Sequence, residues 1–270
     1  MIRMRPAPFK SLSDFLLGSP ADVDGLVDDG WGAPFPVKGR EIDAVILFAD
    51  IAGFSRRTLS MSAVETLAYV NNFFAWISAE ALHERPGIVD KYIGDEIMVV
   101  YAKEFGSDDP LGDAIGAAQA MLSNDYLAYA PHIGIASGSV VVGYVGTSLQ
   151  YSASVFGAPV ALAARCAAVG RPADSESVAC WITLPARELV GRDPAAFLPV
   201  DTYDRPGGGV ERVSRWELTN ERAVAMKNLG EVPVQQIVDT RFHKPSQTAE
   251  ERARDNVQFL LDANRYWPRR

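Results

Sequence analysis

The sequence predicts an α+β protein in which helices pack on an antiparallel-rich sheet. A continuous apolar run at residues 44–48 is short enough for a buried strand. Residues 62–82 then repeat apolar side chains with the helical period. Two more strand-like runs, residues 88–93 and 97–101, are joined by Gly94-Asp95, which is a hairpin signal. The helical stripe expected to face the core consists of Val64, Leu67, Ala68, Phe74 and Ile77.

The following segments complete a ferredoxin-like order. Asp109-Pro110 opens a second helix that runs to about residue 127, because proline suits the first turn of a helix. Residues 132–137 and 140–145 are predicted to pair as strands across Gly138. Strand, helix, strand, strand, helix, strand is the ferredoxin-like order, with two helices on one face of the sheet. A third helix and two weaker strands follow at residues 159–168, 177–181 and 214–218.

The chain is expected to divide into one central domain with two extensions. Residues 1–41 are rich in glycine, proline and aspartate and form the N-terminal extension. Residues 42–220 form the domain, and residues 221–270 form a partly helical C-terminal extension. The extensions are predicted to contain short amphipathic pieces at residues 15–17 and 23–27, then a polar segment after residue 220 and a capped helix at residues 248–264.

Composition and charge exclude several classes of function. The chain is 48% hydrophobic and 22% charged, as expected for a globular protein. A formal net charge of -8 argues against a nucleic-acid binder, which usually carries a basic face. Two cysteines are too few for a disulfide framework. Neither a signal peptide nor a membrane-spanning run is evident, so we expect a cytoplasmic protein without a membrane role.

Two aspartates stand where predicted strands end. Asp50 follows the first strand, and Asp95 lies at the tip of the hairpin. Neighbouring strands of the predicted sheet would bring the two carboxylates together, and a hard cation such as Mg²⁺ would relieve their repulsion. Because aspartate also favours turns, the spacing alone allows two ordinary turn residues as an equal alternative.

Four motifs in order resemble the class III nucleotidyl cyclases. Residues 48–55, Phe-Ala-Asp-Ile-Ala-Gly-Phe-Ser, are similar to the first signature, and residues 91–98, Lys-Tyr-Ile-Gly-Asp-Glu-Ile-Met, are similar to the second. Residues 133–138 resemble the following strand and glycine, and residues 151–165 resemble the strand-to-helix segment with its arginine. The resemblance covers about residues 42–220 and implies the catalytic domain of such a cyclase.

The resemblance implies a role for each matching residue. Asp50 and Asp95, with the Ile51 backbone, would hold two Mg²⁺ or Mn²⁺ ions at a catalytic centre for a nucleoside triphosphate. Arg165 would reach the α-phosphate as a catalytic residue, because its planar fork binds phosphate oxygens in pairs. As a lone helix arginine it would more simply form a surface salt bridge. The substrate phosphates would also contact the backbone of Ala52, Gly53, Phe54 and Ser55.

The base site and two departures from the family pattern leave the substrate open. Lys91 stands at the first base-contacting position, and its ammonium fits adenine N1 as well as acceptors on uracil or cytosine. Ser154 stands at the second, where adenylyl members usually carry aspartate or threonine. Ala161 replaces the usual asparagine one helical turn before the arginine. Arg212, or less favourably Arg205, is the candidate for the phosphate-binding lysine of the last loop.

Three functions remain at this point. Class III domains act as head-to-tail dimers, which implies a homodimer with two equivalent sites. The departures and the short extensions resemble the pyrimidine cyclases of bacterial anti-phage systems (Pycsar), which implies cyclic UMP or cyclic CMP acting on a separate effector. Cyclic AMP is the alternative that Lys91 implies, and an inactive cyclase-homology binding module is a further one. An RNA-binding ferredoxin-like sheet lacks the basic charge that it would need.

Overall fold

A computed structural model describes residues 8–28, 30, 34–125, 127–172, 180–204, 210–240 and 247–262, with only the backbone described at 201–204, 210–214 and 249. Among these residues, no helix is both long enough and apolar enough to cross a membrane. The helices are α1 Leu12–Gly18, α2 Phe54–Thr58, α3 Ala63–Leu82, α4 Pro110–Ser123, α5 Ala158–Ala167 and α6 Ala249–Asp262. The strands are β1 Val23–Asp28, β2 Pro34–Asp50, β3 Ile88–Ile93, β4 Glu96–Ala102, β5 His132–Thr147, β6 Gln150–Phe156, β7 Trp181–Pro185, β8 Val200–Asp204, β9 Val210–Ser214, β10 Trp216–Leu218, β11 Arg222–Met226 and β12 Gly230–Asp239.

The predicted α+β, ferredoxin-like arrangement is confirmed at the centre of the sheet. Strands lie in the order β10-β12-β7-β5-β2-β4-β3, and β5-β2-β4-β3 is the ferredoxin-like part. β2 pairs antiparallel with both β4 and β5, whereas β5 and β7 run parallel. The hairpin between β3 and β4 turns at Gly94, whose φ of 65° suits glycine. The first predicted strand therefore lies at the middle of the sheet.

Each face of the sheet carries its own core. Alternate residues of β2 point to opposite faces, so Leu47 packs with α3 and α4 whereas Phe48 packs with α1 and α5. The amphipathic piece predicted at residues 15–17 lies in α1, whereas the one predicted at residues 23–27 is β1, a strand that is exposed along its whole length and pairs with the start of β2. The sheet is thus covered by helices on both faces.

The strand pair predicted across Gly138 is wrong. Residues 132–147 form one continuous strand, because the ladder between β2 and β5 runs through Gly138 without a turn. Gly138 has a φ of 147°, and a Cβ there would lie 3.0 Å from Pro159 Cγ of α5. The glycine therefore allows a close approach of α5 rather than a chain reversal. β5 turns back only later, into β6.

The helical stripe is partly wrong as well. Ala68 and Ile77 are buried as predicted, whereas Val64 and Leu67 are exposed because the core contacts of α3 begin only at Ala68. The fully buried aromatic residues of this helix are Tyr69 and Phe73. α4 ends at Ser123 rather than near residue 127, with the Asn124 N–H donating to the Ala120 carbonyl.

The segment after residue 220 is not simply polar and helical. β11 and β12 form a hairpin there, and β12 lies between β10 and β7 in the main sheet because Val234 and Ile237 are buried. The predicted capped helix is observed as α6. The Thr248 hydroxyl accepts from the Glu251 N–H, and the Glu251 carboxylate accepts from the Thr248 N–H. The division into a domain and two extensions stays a prediction.

Candidate active site

An acidic row crosses the centre of the sheet at the end of β2. Asp50 pairs in register with Glu96 of β4 on one side and with His132 of β5 on the other. Phe48 and Met98 pack into the core beneath α5, so strand alternation places Asp50 and Glu96 on the same face. This row is the structural centre of the candidate site.

Asp50 is a half-buried acid whose protonated form is favoured by its surroundings. Burial raises its pKa to about 7, and the nearby Asp95 and Glu96 carboxylates add to the rise. Burial also raises the pKa of Asp95, which a hydrogen bond from the Ile51 backbone opposes. The structure therefore brings Asp50, Ile51 and Asp95 together as the sequence predicts.

The Asp50 carboxylate fits a cation. Its Oδ1 atom is buried and has no hydrogen-bond partner in the described structure, and His132 Nδ1 lies 3.5 Å from it. The described residues contain no group of three or more histidine, cysteine, aspartate or glutamate side chains that could close a metal site. A pair of carboxylates that leaves positions open matches Mg²⁺, which usually completes its shell with water and phosphate oxygens.

The loop after Asp50 is fixed from below by a buried arginine. Gly53 adopts a left-handed conformation with a φ of 66° and precedes the short helix α2. Arg57 is 2% exposed and donates to the Ala52 carbonyl at 2.7 Å, to Tyr69 Oη at 3.2 Å and to the Ala128 carbonyl at 2.8 Å. Residues 52–55 therefore lie beside Asp50 on a rigid support, and their predicted contact with substrate phosphates stays a prediction.

The two predicted base-contacting residues meet in a second cluster. Lys91 Nζ donates to Ser154 Oγ, and Ser154 Oγ donates to Asp90 Oδ2 at 2.9 Å. The ladder between β3 and β4 slips between Val89 and Lys91, and this irregularity lets two consecutive side chains reach Ser154. Lys91 pairs with Met98, so the cluster lies on the same face of the sheet as Asp50.

Two aromatic residues near Lys91 lie on opposite faces of the sheet. Tyr92 points to the other face, where its ring lies 4.2 Å from that of Phe74 and its hydroxyl is 2.9 Å from Ser78 Oγ. Phe156 lies on the cluster side, with its ring centroid 5.8 Å from Lys91 Nζ. Phe156 is 46% exposed, so it can contact a ligand held by Lys91.

Arg165 lies on the exposed side of α5, above the same face of the sheet. Its charge opposes the rise in the pKa of Glu96, which burial and Asp95 cause. Ala161 is also exposed, one helical turn earlier. The side chain of Arg212 and the whole of Arg205 lie outside the described residues.

Three residues near the site are not predicted from the sequence. Asp90 is missed because strict strand alternation would point it away from Lys91. His132 is missed because its proximity to Asp50 depends on the register of distant strands. Arg57 lies within the first helical turns after the loop, and only the fold shows that it is buried.

The comparison with known protein families decides the ancestry. Residues 37–178 match the family described as the adenylate and guanylate cyclase catalytic domain, and this stretch is more than half of the chain. The chain belongs to this family. An uncharacterized protein of Mycobacterium bovis is 32% identical to this chain over 149 residues, which are 54% of this chain and 26% of the relative. The chain spans about a quarter of that relative's length.

Other comparisons agree on the fold. An uncharacterized protein of Mycobacterium tuberculosis is 28% identical over 151 residues, which are 55% of this chain and 28% of the relative. The adenylyl cyclase CyaB from P. aeruginosa superposes with a TM-score of 0.53 at 19% identity, over 77% of this chain and 99% of that chain. The guanylyl cyclase Cya2 superposes with a TM-score of 0.54 at 20% identity, over 74% and 93%. The cyclase domain therefore has the class III fold.

Proposed function

We propose that this cyclase domain converts a nucleoside triphosphate into a 3′,5′-cyclic nucleotide and pyrophosphate. In that reaction the 3′ oxygen bonds to the α-phosphorus, the bond from phosphorus to the pyrophosphate oxygen breaks, and the hydroxyl proton passes to solvent. The observation that carries the proposal is the half-buried Asp50 carboxylate, with its unpaired Oδ1 atom, beside Asp95 at the end of the central strand. A degenerate binding module would have little reason to retain this costly arrangement.

Metal binding would use the acidic end of β2. Asp50 and Asp95, with the Ile51 carbonyl, would hold two Mg²⁺ or Mn²⁺ ions. When bound, such ions lower the pKa of the attacking hydroxyl and neutralise charge on the phosphates. Arg57 fixes the Ala52 carbonyl, so the loop that would lie over the phosphates would be ordered before substrate arrives.

Arg165 would act across a dimer. Its guanidinium is exposed on α5, where it can meet a second copy of the chain. We therefore propose a head-to-tail homodimer in which Asp50 and Asp95 of one protomer face Arg165 and Lys91 of the other. Arg165 would stabilise the charge that builds on the α-phosphate during bond exchange.

A pyrimidine base is the preferred substrate in this proposal. Phe156 stands beside Lys91, and in this proposal its ring would fill part of the space that a larger purine ring would need. Cyclic UMP or cyclic CMP would then be the product, and a separate effector would detect it, as in anti-phage signalling. Cyclic AMP is the alternative, because the Lys91 ammonium also suits adenine N1.

The test is turnover of each nucleotide by the purified chain. The protein is incubated with ATP, GTP, CTP or UTP and Mn²⁺, and the products are identified by mass. We expect one cyclic pyrimidine nucleotide to dominate and both Asp50→Ala and Asp95→Ala to abolish it while the circular dichroism spectrum is retained. Predominant cyclic AMP would refute the pyrimidine assignment alone, and no cyclic product from any nucleotide would refute the cyclase activity.

A further inference from the structure

A buried carboxylate lies directly behind the base-contacting lysine. The Asp90 side chain is 0% exposed, and its Oδ2 atom lies 3.4 Å from Lys91 Nζ. Its Oδ1 atom has no hydrogen-bond partner in the described structure, although the Val155 backbone is near enough to favour the charged form. Such incomplete satisfaction of a buried acid is costly and calls for an explanation.

The slipped register between β3 and β4 creates this arrangement. In a regular strand, Asp90 and Lys91 would point to opposite faces of the sheet. The irregularity between Val89 and Lys91 instead lets both side chains converge on Ser154 of β6. The acid is therefore placed beside the lysine by the backbone.

Proton counting assigns a direction to each hydrogen bond. Ser154 has one hydroxyl proton, which it donates to Asp90, and it accepts a hydrogen bond from Lys91. The Ser154 hydroxyl proton is therefore used within the cluster and cannot be donated to a base. Of the three N–H groups of Lys91, one points to Ser154 and another is attracted to Asp90. The cluster therefore offers a base a single lysine donor and no serine donor.

We propose that Asp90 is a positioning residue for base selection in the cyclase domain. Asp90 holds the flexible lysine at one place and removes the serine as a donor, so that the cluster selects a base with an acceptor opposite Lys91. A base that presents a ring nitrogen or carbonyl acceptor opposite Lys91 is preferred over one that presents an N–H group at that place. This inference rests on the proposed function, because it assumes that the base of a nucleoside triphosphate meets Lys91.

The control is a second buried acid, which contacts β5 instead of β3. The buried Glu188 side chain accepts from the N–H and the hydroxyl of Ser137, and it lies 3.6 Å from Arg187 Nε. It is therefore also a buried acid with a serine and a cation beside it. Glu188→Gln shows how neutralising a buried acid of this kind affects nucleotide binding and turnover in general. Asp90→Asn shows the same general effect together with any effect on base selection.

The experiment measures binding and turnover of all four nucleoside triphosphates. Affinities are taken by calorimetry with Mg²⁺ in an Arg165→Ala background, which retains the metal ligands, and kcat/KM is taken in the otherwise native chain. We expect Asp90→Asn to reduce the ratio between the best and the worst nucleotide by about tenfold, because the negative charge that holds Lys91 and strengthens the Ser154 hydrogen bond is lost. Asp90→Glu should restore part of the ratio between the best and the worst nucleotide. Glu188→Gln should lower the affinity and kcat/KM for all four nucleotides by the same factor.

The outcomes separate this inference from the proposed function. If Asp90→Asn leaves the nucleotide ratio unchanged, or lowers all four values equally, Asp90 is only structural. If Asp90→Asn fails to fold, Ser154→Ala gives the same comparison, since it removes the link between the acid and the lysine. The native chain could bind the four nucleotides with different affinities, lose that difference in Asp90→Asn, and still form no cyclic product. That result would support the role of Asp90 and refute the proposed cyclase activity. Equal binding of all four nucleotides by the native cluster would overturn the inference.

Discussion

Asp50 should make the metal-free protein less stable as the pH rises. Its pKa is about 7 in the folded chain against an ordinary value of 3.8, so the folded state holds the proton more tightly than the unfolded state. The contribution is complete below about pH 4 and is lost as the pH passes through about 7. Three pH units correspond to about 4 kcal/mol. Because the side chain is 27% exposed, water reduces the expected loss to about 2 kcal/mol.

The assay compares the native chain with Asp50→Asn, whose new side chain cannot ionise. Unfolding by urea is followed at pH 4 and pH 8 with a chelator present. From pH 4 to pH 8 the free energy of unfolding of the native chain should fall by about 2 kcal/mol more than that of the Asp50→Asn variant. Added Mg²⁺ at pH 8 should stabilise the native chain and leave the variant unchanged, because the metal binds the ionised carboxylate.

A group with the opposite shift provides the control. Hydrogen bonds from Arg192 lower the pKa of Asp109, so this acid is already ionised at pH 5. Asp109→Asn should therefore destabilise the protein by a similar amount at pH 5 and at pH 8. The reasoning fails if Asp50→Asn follows the same pH dependence as the native chain.

Three further predictions concern the dimer, α5 and the loop. Mixing Asp50→Ala and Arg165→Ala chains should restore about a quarter of native turnover, since half of the dimers are mixed and each mixed dimer holds one intact site out of two. If mass spectrometry shows mixed dimers but turnover does not recover, the site is not shared between protomers. Gly134→Ala should lower the melting temperature and turnover together, because its Cβ would lie 2.1 Å from the Ala163 carbonyl oxygen of α5. Arg57→Ala should cost about 2–4 kcal/mol in urea unfolding and raise KM, since it leaves the Ala52 carbonyl unsupported; an unchanged KM would separate the arginine from the loop.

Local signals predicted the parts of the fold that depend on a few neighbouring residues. The hairpin at Gly94-Asp95 was predictable because a turn glycine lies between two apolar runs. The same logic failed at Gly138, where the glycine serves close packing against Pro159 within a continuous strand. The sequence alone does not show whether a glycine forms a turn or allows close packing.

The candidate site was predicted through its motifs more than through its geometry. Asp50 and Asp95 were expected to meet because neighbouring strands of the sheet carry them, and the structure brings them together, while their catalytic roles stay predictions. The meeting of Lys91 and Ser154 followed from the family resemblance. Asp90 could not be predicted, since the slip in register that turns it toward Ser154 depends on the pairing of β3 with β4.

The acidic row also has a consequence for the order in which the chain acquires its chemistry. Asp50 pairs with a residue of β4 and with His132 of β5, which are far apart along the chain. Pairings of this kind must close long loops before they stabilise anything, so they form late in folding. A nascent chain that has not yet emerged beyond residue 131 carries both aspartates but lacks the strand that completes their surroundings. The capacity to bind a divalent ion should therefore arise near the end of folding, after the central sheet has closed.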